Sequence, residues 1–284
     1  MARFPLVVAL IVGLVLGAGG CQAPPKPDSL SEGIKIPELA RPPKDRPPPP
    51  QFLATAALTV HVLDLPADNV EQLDAVWKLL TAAPIRLMSY NAFSENSFRL
   101  LYGKIALWER IRTLLAEADA QQVTTVSLTV GENDQTDLPI AQVPTARPIT
   151  FVASDLSTST AHVGPGILAL RLWAQRSPWA PAIRKIVGCP TYTIPTSGAI
   201  PQLQAQARRG EFRFDSAAFA CEMAPGDLLV LGPEKYTGER VTLGGLFFNK
   251  PEETLFFNPN KARPAERKPA VRVYVLICTR VSGR

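Results

Sequence analysis

Apolar positions along the chain fall into three regimes. From Phe4 to Gly20 they run without a charge. From Ala23 to Pro50 bulky ones almost vanish among ten prolines. From Ala54 onward they recur in periods that change from segment to segment. The stretch ATAALTVHVLDL (54–65) is dense in β-formers and predicts a strand. ADNVEQLDAVWKLLTAAP (67–84) predicts a helix, with Asp68 placed to cap it, Glu71 to complete a capping box and Pro84 to stop it. Val70, Leu73, Val76, Trp77 and Leu80 give that helix one apolar face. IRLMSY (85–90) and SFRLLY (97–102) predict two strands joined by the polar turn NAFSEN. KIALWERIRTLLAEADA (104–120) predicts a second amphipathic helix facing inward through Ile105, Trp108, Ile111, Leu115 and Ala118, and VTTVSLTV (123–130) a closing strand. The order is βαββαβ. Two helices with one apolar face each need a sheet to cover, so residues 51–131 are expected to form an α+β module of ferredoxin-like type.

Residues 132–148 are polar and punctuated by proline, which marks a boundary. Beyond it, residues 149–284 read as a β-rich domain. Its strand-like runs are ITFVAS, GILALRLWAQ, IRKIVGCPTYTI, GEFRFDSAAFA, DLLVLG, VTLGGLFF and AVRVYVLICTRV, with IPQLQAQARR (200–209) as the one short helix. In the last run Val271, Val273, Val275, Ile277 and Val281 share one face by alternation, and Arg272, Tyr274, Leu276, Cys278 and Arg280 the other. The first face is expected to be buried and the second mixed.

The N-terminal regime reads as an export signal, residues 1–20. Arg3 precedes an apolar core of h-region length, and the run reaches only ~25 Å as a helix, short for a bilayer core of ~30 Å. Gly19, Gly20 and Cys21 follow. This segment resembles the lipobox of bacterial lipoproteins, with Ala18 where that family most often has Leu. The resemblance implies cleavage before Cys21 and lipidation of its sulfur, which ties the chain to a membrane on its extracytoplasmic side. Residues 21–50 then form the anchor and a linker whose prolines favour extended polyproline II, a stalk reaching up to ~85 Å.

Near the C-terminus, MAPGDLLVLGP carries Gly226, Asp227, Val230, Leu231 and Gly232, and LGGLFF carries Leu243, Gly244, Leu246 and Phe247, before the terminal apolar strand. These stretches resemble the closing region of bacterial secretins, the outer-membrane ring channels of secretion systems. Gly232-Pro233 stands where that family has a double glycine, and the barrel region is far shorter. The resemblance implies a ring-building-like role for the 51–131 module.

The chain is 46% hydrophobic and 19% charged, enough for a real core, and its net charge of +5 is too small and dispersed to indicate a nucleic-acid partner. None of the serine-hydrolase, zinc-protease or nucleotide-binding signatures occurs. His61 and His162 stand alone, Ser157 to Thr160 lack an evident base, and Glu132, Asn133, Asp134 and Asp137 miss the EF-hand spacing. The basic segment 261–272 offers cations to anionic headgroups. Cys189, Cys221 and Cys278 lie in or beside apolar strands and suit buried thiols. No catalytic, metal or cofactor-binding residue is therefore expected, and the one candidate site residue is Cys21. The expected function is that of a non-enzymatic, membrane-anchored assembly component at the cell envelope. Its partners would be the membrane and other envelope proteins or its own copies. The alternative is a ligand- or glycan-binding lipoprotein that stacks its ligand on Trp173, Trp179 or Tyr192.

Overall fold

The two ends of the folded region lie side by side. Strand β1 (Thr55–Pro66) pairs antiparallel along its whole length with the last strand, Ala270–Ser282. This computed structural model describes residues 54–132, 134–177, 180–194, 210–257 and 265–283. All of them belong to one compact unit spanning Phe52–Arg284. The remaining strands are β2 (Arg86–Leu87), β3 (Phe98–Lys104), β4 (Gln121–Gly131), β5 (Thr136–Val143), β6 (Arg147–Val152), β7 (Thr158–Val163), β8 (Gly166–Arg176) and β9 (Arg184–Thr193). They continue with β10 (Phe212–Arg213), β11 (Phe219–Met223), β12 (Asp227–Pro233), β13 (Thr254–Phe256) and β14 (Glu266–Lys268), so Ala270–Ser282 is β15. Among the described residues four short α-helices accompany them: α1 (Leu73–Trp77), α2 (Tyr90–Glu95), α3 (Trp108–Glu117) and α4 (Leu243–Phe248).

One antiparallel sheet has the order β3-β12-β15-β1-β4, and a second runs β2-β11-β9-β8-β5 with β10 paired to β9. The fold is thus mostly β. The expected ferredoxin-like closure of residues 51–131 on themselves does not form, because β12 and β15 occupy the centre of their sheet. These two pairings also cross the boundary expected between residues 131 and 149. The polar segment 132–148 supplies β5 and the start of β6 rather than a linker.

Alternation explains the layers. Leu58 and Val60 of β1, Leu229 and Leu231 of β12 and Leu276 of β15 meet Leu168, Leu170 and Leu172 of β8, Ile186 of β9 and Met223 of β11 in the core between the sheets. The opposite face of the first sheet, through Val230, Val271, Val273 and Val275, packs on Val76 and Trp77 of α1 and on Ile111 and Leu115 of α3. From Val271 to Cys278 nearly every residue is buried, as both-sided burial demands of a central strand. The second face of β15 is core from Tyr274 to Cys278, while Arg272 before them is half-buried and Arg280 beyond them is exposed. A bulge opposite Ala57–Leu58 shifts the register, and Val281 crosses to the inter-sheet side, away from Val271–Ile277.

Local expectations gave way where tertiary partners competed. The helix expected from Asp68 begins as a 3₁₀ turn after Pro66 with no side-chain cap and ends at Trp77. There Asn69 Nδ2 instead donates to Ala118 O (2.9 Å), and Thr81 bridges to Tyr102 at the edge of β3. The hairpin of 85–90 and 97–102 is absent: β2 pairs β11 and β3 pairs β12. Between them Ser89 Oγ accepts the Ala92 amide and caps α2, which buries Ala92 and Phe93. Ile105, expected inside, is exposed. Within VTLGGLFF, Leu243–Phe248 form α4, capped by Thr242 Oγ1 accepting from Gly245 N (3.1 Å) and buried all round. Its apolar run has no period that separates strand from helix. The expected helix at 200–209 lies outside the described residues.

Candidate functional site

Cys21 and the segment 1–50 lie outside the described residues. Within the compact unit, the residues considered for chemistry do not converge. His61 of β1 stacks on Trp108 (centroids 4.7 Å apart) with Nδ1 3.3 Å from Thr125 Oγ1, and His162 is exposed on β7. Ser157 closes the β6–β7 turn. Its amide and hydroxyl donate to Asp155 Oδ1 at 3.0 and 2.7 Å, which pulls the Asp155 carboxyl below its ordinary range. Thr158 to Thr160 belong to β7.

Of the acidic group around 132–137, Asp137 is taken up by Arg171 (2.7 and 2.8 Å), which also bonds Glu211, while Glu132 pairs with Arg176. Among the described residues no group of three or more His, Cys, Asp or Glu is placed to hold a metal. Cys189, Cys221 and Cys278 are free and buried. Desolvation raises all three thiol pKa values, to about 12 for Cys221 and about 11 for Cys278.

Of the three aromatics proposed for ligand stacking, Tyr192 and Trp173 are among the described residues. Tyr192 is buried, its hydroxyl donating to the Gly164 and Pro165 carbonyls (2.9 and 3.0 Å), so it presents no face to a ligand. Trp173 is half-buried beneath the Arg213 guanidinium, and Trp179 lies outside the described residues. In the basic segment, Arg272 is held by Asp64 through Nε (2.8 Å) and Nη2 (3.3 Å).

The secretin-like stretches occupy defined places. Gly226, at φ +88°, makes the turn into β12 with a conformation that side chains disfavour. Its amide donates to Cys278 O (2.8 Å), and Asp227 accepts from Ala224 N (2.8 Å) and Lys104 Nζ (2.6 Å). Phe247 and Phe248 of α4 both pack on Phe98 (centroids 4.9 Å).

The most distinctive surface is an edge. β4 ends the first sheet, and its eleven residues, QQVTTVSLTVG, contain neither charge nor proline. From Gln122 to Leu128 no described strand or backbone group bonds its outer side. Val123 bulges out at 50% exposure, and Val126 and Leu128 are only half-buried. Proteins ordinarily blunt such edges with lysine, proline or a covering loop. The pattern of residues 123–130 predicts a closing strand here. The lack of charge over eleven residues was the available signal, but nothing local says which strand is outermost.

The chain matches no known protein family and no curated protein. Among solved structures it is similar to the type II secretin GspD from enteropathogenic Escherichia coli, at 11% identity and a TM-score of 0.23, covering 81% of this chain and 69% of that one. The InvG secretin-domain β-barrel of the Salmonella SPI-1 injectisome gives 9% identity and a TM-score of 0.23 over 82% of this chain and 63% of that one. A second InvG structure, from the same type III secretion injectisome, gives 10%, 0.20, 81% and 64%. These are weak structural similarities to bacterial secretins over most of the chain.

Proposed function

We propose that this protein is an extracytoplasmic lipoprotein, anchored through Cys21 and held off the membrane by residues 22–50, that acts as a non-enzymatic, secretin-like assembly component of the cell envelope. The observation that carries the assembly role is the uncharged outer edge of β4. Strand addition along it satisfies the amides and carbonyls that no described strand pairs and covers Val123, Val126 and Leu128. The partner that fits best is a second copy. Two β4 edges meeting antiparallel around a two-fold axis are self-complementary, and a strand without charge brings no like-charge repulsion against itself.

Light scattering across a concentration series, paired with Val126→Lys, tests the reading. Association that rises with concentration and is lost in Val126→Lys is the expected result. A strict monomer at every concentration, or association untouched by the lysine, overturns the edge as the interface. Mass spectrometry of the N-terminal peptide tests the anchor separately, and an intact, unlipidated Met1–Cys21 segment overturns it.

A further inference from the structure

Away from β4, where α4 passes the end of β5 and the start of β15, the surface encloses a cavity of about 260 Å³. Ile140, Leu246, Phe247 and Pro251 form its apolar wall, and Arg240, Lys250 and Arg272 supply its charge. No acidic side chain lines it among the described residues. Asp64, buried behind it, is already shared: Oδ1 accepts from Arg272 Nε (2.8 Å) and Oδ2 from Lys250 Nζ (2.9 Å). Three cations against one carboxylate leave the cavity strongly positive.

The excess centres on Arg240. Its Nε is buried without a hydrogen-bond partner, and no carboxylate pairs with it among the described residues. Its charged neighbour is another cation, Arg147, which donates to the Arg240 carbonyl (2.6 Å). Burial and Arg147 both push the Arg240 guanidinium below its ordinary value, as expected where a positive charge lacks its counter-ion. A buried donor left unpaired is costly, more so when charged, so the Arg240 charge stands uncompensated.

We infer that this cavity is a binding site for a small organic anion, a carboxylate or phosphate borne on a short apolar group. The anionic oxygens take the Arg240 fork and the free donors of Lys250, a geometry that guanidinium matches better than an ammonium does. The apolar part lies on Leu246 and Phe247. The volume falls below the roughly 300–1,000 Å³ of drug-sized pockets, which limits the ligand to a headgroup-like size. This site does not depend on the β4 edge or on the anchor.

The test is calorimetric titration of the full chain in a non-ionic detergent with hexanoate, phenyl phosphate, inorganic phosphate and hexanol. Hexanoate or phenyl phosphate is expected to bind and to weaken with added salt, inorganic phosphate to bind at least tenfold more weakly, and hexanol not to bind. Arg240→Ala and the near-isosteric Arg240→Gln are each expected to weaken the organic anion at least tenfold while a thermal melt shows a folded chain. If one variant fails to fold, the other carries the comparison. Absence of binding by both organic anions, equal binding of hexanol, or unchanged affinity in a folded Arg240 variant overturns the site. Inorganic phosphate binding as tightly as the organic anions overturns the apolar half of the proposal.

Discussion

Removing the carboxylate of Asp64 is expected to be among the most damaging single changes in this protein. Asp64 is 1% exposed and meets Arg272 at 2.8 and 3.3 Å and Lys250 at 2.9 Å. At an effective dielectric of about 20, a charge pair near 3 Å attracts by roughly 5 kcal/mol, and two such pairs by about 10. Most of that offsets the several kcal/mol that each ion loses on leaving water, so the attraction is not the net contribution. The useful quantity is the cost of leaving the partners unpaired, about 3–5 kcal/mol for a buried pair. Here Arg272 and Lys250 keep 22% and 26% of their side chains exposed and can partly rehydrate, which favours the lower end. Asp64→Leu should therefore lose about 3 kcal/mol, or roughly 6–12 °C in Tm for a unit of this size. Scanning calorimetry and urea unfolding measure it. Asp64→Leu combined with Arg272→Met should be less destabilised than the sum of the single changes by more than about 1 kcal/mol. A single variant within a degree of the parent, or strict additivity in the double, would refute the buried-charge reasoning.

Two further outcomes rest on burial elsewhere. Cys189, Cys221 and Cys278 should resist a thiol reagent at pH 8 in the folded protein and label rapidly once it is unfolded in urea, with peptide mass mapping as the readout. Because burial lifts the folded thiols above their ordinary 9.0, the unfolded chain ionises first, so their stabilising contribution is complete below about pH 9 and declines above it. Fast labelling of Cys221 or Cys278 in the native state would contradict this. Asn96→Ala should cost about 2–3 kcal/mol by stranding buried groups. Its Nδ2 donates to Ala92 O (2.7 Å) and Val152 O (2.8 Å), and its Oδ1 accepts from Val152 N (2.8 Å). Hydrogen exchange should speed up in the β6–β7 hairpin, and unchanged exchange there would count against the role of Asn96.

Much of the candidate surface was visible only in part along the chain. The β character of residues 123–130 was legible from Val123, Val126 and Leu128 alternating with Thr and Ser, but not that the strand would be outermost. The anion cavity was invisible because Arg240, Lys250 and Arg272 come from separate turns and strands, none with a motif of its own. The buried thiols were legible from their apolar surroundings.

The sequence by itself determined the strand character of β1 and β15, because the alternation of one and the apolar run of the other from Val273 to Cys278 suit the two-residue period of an extended backbone. It also determined the helical face of Ile111 and Leu115. Pairing was decided only in three dimensions. From Val273 to Cys278 β15 is apolar on both faces and so needs cover on both, and it inserted between β1 and β12 instead of leaving residues 51–131 to close alone. That insertion left β4 outside, turned Val281 inward through a bulge, and brought Asp64 and Arg272, 208 residues apart in sequence, within one hydrogen bond. Local periodicity states which face of a strand is apolar, whereas partner choice depends on burying every such face at once.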